Sequence, residues 1–275
     1  MKLGLFTCGY QRTTIEKAFA DAKAFGYDYI ELWGGRPHAY APDLCRTGSE
    51  ELRLIRELTD AYAMPVRIYT PEHNAYPFNY MLGTERQWEE SMRYLTQALE
   101  AAALLSAPYM LISVGHGGEK PSEERGERLV RSLRRLSEEA KNAGRVLLLE
   151  TLTKYESNTC TTLAELTEVL DEVHSPYLAG MCDVVAPFTC GEDPAEYARL
   201  LGKRLLHLHV VDSDGKSDTH LIPGEGIMPL ADILQRMKAY GYNGSATIEL
   251  VTNYIDRPTE AAEEAIRRLT SMLPE

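Results

Sequence analysis

A chain of 275 residues, 44% hydrophobic and 25% charged, has the composition of an ordinary globular protein, long enough for one barrel-sized domain or two smaller ones. Its formal net charge of −12 and its lack of any basic run argue against nucleic acid and anionic lipid as partners, since both are held mainly through Lys and Arg. Five cysteines (Cys8, Cys45, Cys160, Cys182, Cys190), none two or three residues from another, argue against a zinc finger and a disulfide framework and fit a reducing compartment.

The opening "MKLGLFTCGY" lacks the long apolar region and small-residue cleavage site of a signal peptide. No apolar stretch is long enough to cross a bilayer, so a cytoplasmic protein is expected. Short apolar runs then recur along the chain: "LGLF" (3–6), "YIEL" (29–32), "VRIY" (66–69) and "YMLISV" (109–114). They continue with "VLLLE" (146–150), "YLAGMCD" (177–183), "LLHLHVV" (205–211) and "ATIELV" (246–251). Runs of this length read as strands buried on both faces. Helical patterns separate most of them, clearest over 84–105, where Thr84 is the expected N-cap, and over 122–144, between Ser122 as N-cap and Gly144 past the C-terminus. Eight strand–helix alternations predict an α/β fold, a single (β/α)8 TIM barrel over residues 1–275. A doubly wound open sheet is the rival. It calls for G-x-G-x-x-G after the first strand, where "FTCGYQR" offers one Gly.

Active sites of such barrels sit at the C-terminal ends of the strands. The fifth run ends in Glu150, the sixth in Asp183, the seventh carries His209, and the eighth carries Glu249. Adjacent strands lie about 4.8 Å apart, so these tips converge, and three carboxylates together call for a cation. Three oxygen donors and one imidazole favour Mn²⁺, then Mg²⁺ or Co²⁺. His207, two residues before His209 and one layer deeper, reads as a core histidine. Glu156, a second carboxylate just past the fifth strand, and His116 in "SVGHGG" are candidates for the mouth. Trp33 and Tyr69, at other strand ends, either wall a pocket or pack in the core.

The set Glu150, Asp183, His209 and Glu249 resembles the metal site of the xylose-isomerase-like barrels, in particular the ketose 3-epimerases. Asp183 follows Glu150 by 33 residues and His209 follows Asp183 by 26, spacings similar to those of that family. The resemblance implies that all four residues bind one divalent cation, that Glu150 and Glu249 also form the acid–base pair, and that Glu156 binds substrate hydroxyls. It implies a homo-oligomer as well. Further segments, among them "IELWGGRPHAYAPDL", "YTPEHNAYPFNYMLG", "YESN" and "HLHVVDSDGKSDTHLIPGEG", carry the resemblance over nearly the whole chain, toward the branch acting on a ketose joined to lysine. Two positions depart from the wider family: Ala186 stands where many members have His, and Gly215 where they have a substrate-binding Arg. Asp218 and His220 could take over as substrate-contacting groups.

The loops after the seventh and eighth runs, "DSDGKSDTHLIPGEG" and "VTNYIDRP", hold five acids against two bases. That is a poor place for a phosphate dianion and a favourable one for an ammonium group. Together with the resemblance, this pattern favours an unphosphorylated sugar-amine as substrate. A free-ketose epimerase or an aldose–ketose isomerase would use the same metal set. A DNA-repair endonuclease on this barrel would need more histidines and a basic face.

Overall fold

The computed structural model describes residues 1–73, 77–119 and 122–273; residues 74–76, within "YTPEHNAYPFNYMLG", lie outside it. The chain runs β1 (Lys2–Phe6), α1 (Ile15–Phe25), β2 (Tyr29–Gly34), α2 (Ala41–Leu44), α3 (Glu50–Tyr62), β3 (Val66–Pro71), α4 (Glu85–Leu104), β4 (Tyr109–Ser113), α5 (Glu123–Ala143) and β5 (Val146–Glu150). It continues through α6 (Leu163–Val173), β6 (Leu178–Asp183), α7 (Val185–Cys190), α8 (Ala195–Leu201), β7 (Leu205–His209), α9 (Leu230–Ala239), β8 (Ser245–Ile248) and α10 (Pro258–Met272). The eight strands form a closed barrel in sequence order, each parallel to its neighbours, with β1 pairing β8 to close the ring. This is the TIM barrel predicted from the alternation. No helix of the described residues is long and apolar enough to cross a membrane.

Local chemistry sets the helix ends. Thr84 caps α4 in a reciprocal capping box with Gln87, and Thr162 does the same for α6 with Glu165. Ser122 accepts from the Arg125 N–H to cap α5, which ends at Gly144 with φ 65°. At that left-handed angle a side chain would be strained.

Side chains alternate along each strand, which divides the core in two. One set packs outward under the helices. The other fills the barrel's interior floor: Tyr29, Ile68, Leu111, Leu148, Ala179 and Met181. Gly4 makes room for one of these, because a Cβ there would sit 2.2 Å from the Tyr29 ring. The same alternation, continued upward from the floor, selects which residues face the mouth.

Candidate active site

Two residues above Leu148 on β5 stands Glu150, and two above Met181 on β6 stands Asp183. His209 ends β7 two residues above His207, and Glu249 is the first residue after β8. All four line one cavity of about 460 Å³ at the C-terminal end of the barrel. Donor atoms of Glu150, His209 and Glu249 lie within 4.8 Å of one another, and so do those of Asp183, His220 and Glu249. Glu249 belongs to both sets, so three carboxylates and two imidazoles converge there.

Parity also brings in a residue that the sequence reading passed over. Glu31 on β2 is fully buried and faces the same interior. Its Oε1 accepts from His209 Nε2 at 3.0 Å and from the Thr70 hydroxyl at 2.8 Å, and its Oε2 accepts from His207 Nε2 at 3.1 Å. Burial alone would raise the pKa of Glu31. The charge of His209 and hydrogen bonds from His207 and His209 overcome that and hold it well below the usual carboxylate range. An ionised Glu31 has no proton to give, so the Nε2 nitrogens facing it carry the hydrogens. Ser245 Oγ lies 3.0 Å from the other nitrogen of His207, which is thus the satisfied core histidine expected.

His209 Nδ1, the ring's other nitrogen, is buried and without a hydrogen-bond partner among the described residues. Glu249 Oε2 lies 2.8 Å from it and Glu150 Oε1 3.2 Å, but neither is aligned as a hydrogen-bond partner. Once it gives up its proton, that nitrogen and the two carboxylate oxygens beside it fit a divalent cation. A carboxylate behind a ligating imidazole is the usual second support of such a site. The field has the same sign: burial lowers the pKa of His209, yet Glu31 and Glu249 raise it well above the ordinary value, so positive charge is drawn to this nitrogen.

The two glutamates are pushed apart. Burial raises Glu150, while Glu249, equally buried, is brought down by His209 and His220. Glu156 lines the cavity and accepts from the Thr153 N–H at 3.1 Å; burial, then the charge of Asp218, raises it to about 7. Trp33, Asp218 and His220 line the same cavity. His220 lies 3.4 Å from Asp183 Oδ2 and 3.5 Å from Asp218 Oδ1 through Nε2. Cys8 also reaches the cavity, but burial, then Glu249, raises its thiol well above the ordinary value, so it holds its proton.

Two expected residues lie elsewhere. Tyr69 has the opposite parity to Ile68, so it points under the helices, fully buried, with its hydroxyl donating to the Ala39 carbonyl at 2.7 Å. His116 is outside the cavity lining; its Nδ1 accepts the Gly118 N–H at 2.9 Å, and its carbonyl accepts from the Asn79 amide at 3.0 Å. The loop acids after β7 and β8 also serve a different purpose from the one expected. Asp212 is buried and accepts from the N–H groups of Ser213, Gly224 and Met228. Asp214 accepts from Lys216 and Ser217, Glu225 accepts from the Tyr254 hydroxyl, and Asp256 pairs with Arg12. Of the five, only Asp218 lines the cavity.

The xylose isomerase-like TIM barrel family matches residues 19–272. The chain belongs to that family. Fructoselysine 3-epimerases of Shigella flexneri and of Escherichia coli O157:H7 are each 46% identical to it over 276 residues, covering 100% of this chain and 99% of theirs. D-allulose 3-epimerase from Methylomonas sp., solved with D-allulose, superposes with a TM-score of 0.84 at 19% identity, covering 99% of this chain and 97% of that one. The 3-keto-D-glucoside 4-epimerase from E. coli superposes with a TM-score of 0.82 at 17% identity, covering 98% and 99%. The chain is an enzyme of the isomerase class, an epimerase.

Proposed function

We propose that this chain is a metal-dependent 3-epimerase of a ketose-amine, interconverting fructoselysine and its C3 epimer. The observation that carries the reading is the cavity's charge. Six carboxylates line it (Glu72, Glu150, Glu156, Asp183, Asp218, Glu249) against three imidazoles (His73, His209, His220), and no Lys or Arg does so among the described residues. Such a lining attracts a cation and a cationic substrate and repels a phosphate. Full-length similarity to fructoselysine 3-epimerases supports the same substrate class.

Glu150, Asp183, His209 and Glu249 would hold the cation. Mn²⁺ suits this mostly oxygen donor set best, with Mg²⁺ or Co²⁺ next. When bound, it supplies electrostatic stabilisation of negative charge developing on the substrate's neighbouring oxygens. The protein's own groups move the protons. In one direction the ionised Glu249 takes the proton from C3, and the C–H electrons pass to the C2 carbonyl oxygen. Glu150, at the tip of β5, returns a proton to the opposite face of C3. The reverse reaction exchanges the roles. Glu156, held by Thr153, would orient the substrate hydroxyls.

The test is ¹H NMR of solvent-deuterium exchange with Mn²⁺-loaded enzyme, over free ketoses, fructoselysine and fructoselysine 6-phosphate. Exchange at C3, with kcat/KM highest for fructoselysine and lowest for its phosphate, is expected. Exchange at C1 would make the enzyme an aldose–ketose isomerase. Preference for free psicose or for the phosphate would overturn the charge argument.

A further inference from the structure

β2 and β3 stand across the closed ring from β6 and β7. Their upper ends carry Trp33 and, one residue past β3, Glu72. Both sit two residues beyond a member of the His209 support, Trp33 beyond Glu31 and Glu72 beyond Thr70. Two residues of strand rise about 6.5 Å, so Trp33 and Glu72 lie one layer above the groups that hold His209. That is the level of a substituent on the sugar rather than of the cation.

The position is built, not incidental. Trp33 Nε1 donates to Glu72 Oε2 at 2.7 Å, and the Tyr94 hydroxyl donates to the Glu72 carbonyl at 3.0 Å. Glu72 makes no ion pair with Lys or Arg among the described residues. His73 lines the same cavity, 5% exposed, and its Nε2 has no hydrogen-bond partner among the described residues. Burial lowers His73 to about 4, so at neutral pH the ring adds no positive charge to compete for Glu72. Across the mouth, Glu150, Asp183 and Glu249 are occupied in the candidate metal site, and Asp218 faces His220. Among the described residues, Glu72 is thus left without a cationic partner.

We infer that Trp33, Glu72 and His73 form a subsite for a protonated amine carried on C1 of the ketose, with the Glu72 carboxylate as its counter-charge and the indole face covering the adjoining methylenes. The inference rests on the proposed ketose-amine activity. It moves the recognition of the amine from the β7 and β8 loops to the β2 and β3 side of the mouth.

Glu72→Gln tests it, because the Gln carbonyl oxygen can still accept from Trp33 Nε1 while the charge is lost. kcat/KM is measured on Mn²⁺-loaded wild type and variant for fructoselysine and for a neutral 1-O-alkyl ketose of the same length. The amine-to-neutral ratio should fall about 10-fold or more, the scale of one charge-assisted hydrogen bond. A variant that keeps the wild-type ratio overturns the subsite alone. A wild type that shows no preference for the amine overturns the subsite and the proposed substrate together.

Discussion

Glu249→Gln keeps an oxygen near His209 Nδ1 but cannot take a proton. Weakened but measurable Mn²⁺ binding and a rate loss of at least about 10²-fold are expected, the low end for one acid–base group. A near-normal single-turnover rate would remove Glu249 from the proton-transfer pair. Glu31→Gln probes the other side of the same imidazole. Glu31 is the common acceptor for His207, His209 and Thr70, and a neutral amide cannot accept from both rings with equal strength. Mn²⁺ affinity, followed by electron paramagnetic resonance of the free ion, should fall about 10- to 100-fold, the usual cost of losing such support. Unchanged affinity would make Glu31 a packing residue only. Glu31 was discoverable in principle: an acid inside the apolar run "YIEL" is the same anomaly as the acid ending "VLLLE". Its position inside the run, rather than at the tip, hid it.

The loop joining β7 to α9 shows how an element can absorb charge that a sequence advertises. Asp212 gathers three backbone N–H groups at 2.8, 2.8 and 3.0 Å and is 1% exposed. Asp212→Ala leaves those donors without their acceptor, at a cost of about 2–4 kcal/mol, since each buried unsatisfied group costs about 1–3 kcal/mol and relaxation recovers part. Urea unfolding should show this as a lower midpoint with an unchanged slope. Asp214, half-buried and with its bonds inside its own turn, should shift the midpoint less when replaced. Equal shifts would mean that Asp212 is not the centre of the loop.

For the molecule as a whole, the barrel holds together carboxylates that repel one another and attract a cation, so the cation and the fold should be linked. Chelation should abolish turnover and lower the Tm, with Mn²⁺ restoring both; ligand at 100 times its Kd stabilises by about 2.7 kcal/mol. Full turnover by thoroughly stripped protein would sink the metal-dependent reading. Acid should act through His73. Its folded-state pKa of about 4 lies below the unfolded value of about 6.5. Between these the unfolded chain binds the extra proton, so stability rises with pH across that window. The contribution is whole above about pH 6.5 and is lost as pH falls toward 4, a term on the order of 3 kcal/mol. His73→Asn should flatten the dependence of unfolding free energy on pH between 4 and 6.5; the same slope as wild type would assign the acid sensitivity to other groups.

Eight apolar runs, their two-residue alternation and the acids at their tips are properties of neighbouring residues. They were enough to determine the closed barrel, the caps Thr84 and Ser122, and that Glu150, Asp183, His209 and Glu249 line one cavity. Hydrophobic period and strand ends are local, and a barrel of parallel strands brings consecutive tips together by construction. What only the tertiary structure decided depends on contacts across the ring or within loops. Glu31 meets His209 over a separation of 178 residues, a pairing that exists once β1 and β8 close. Tyr69 faces the helices because the register of β3 turns Ile68 and Thr70 inward. Asp212 and Asp214 became loop acceptors because the backbone there must satisfy its own N–H groups first. Composition supplies the charge; the folded backbone decides which charges remain free to meet a substrate.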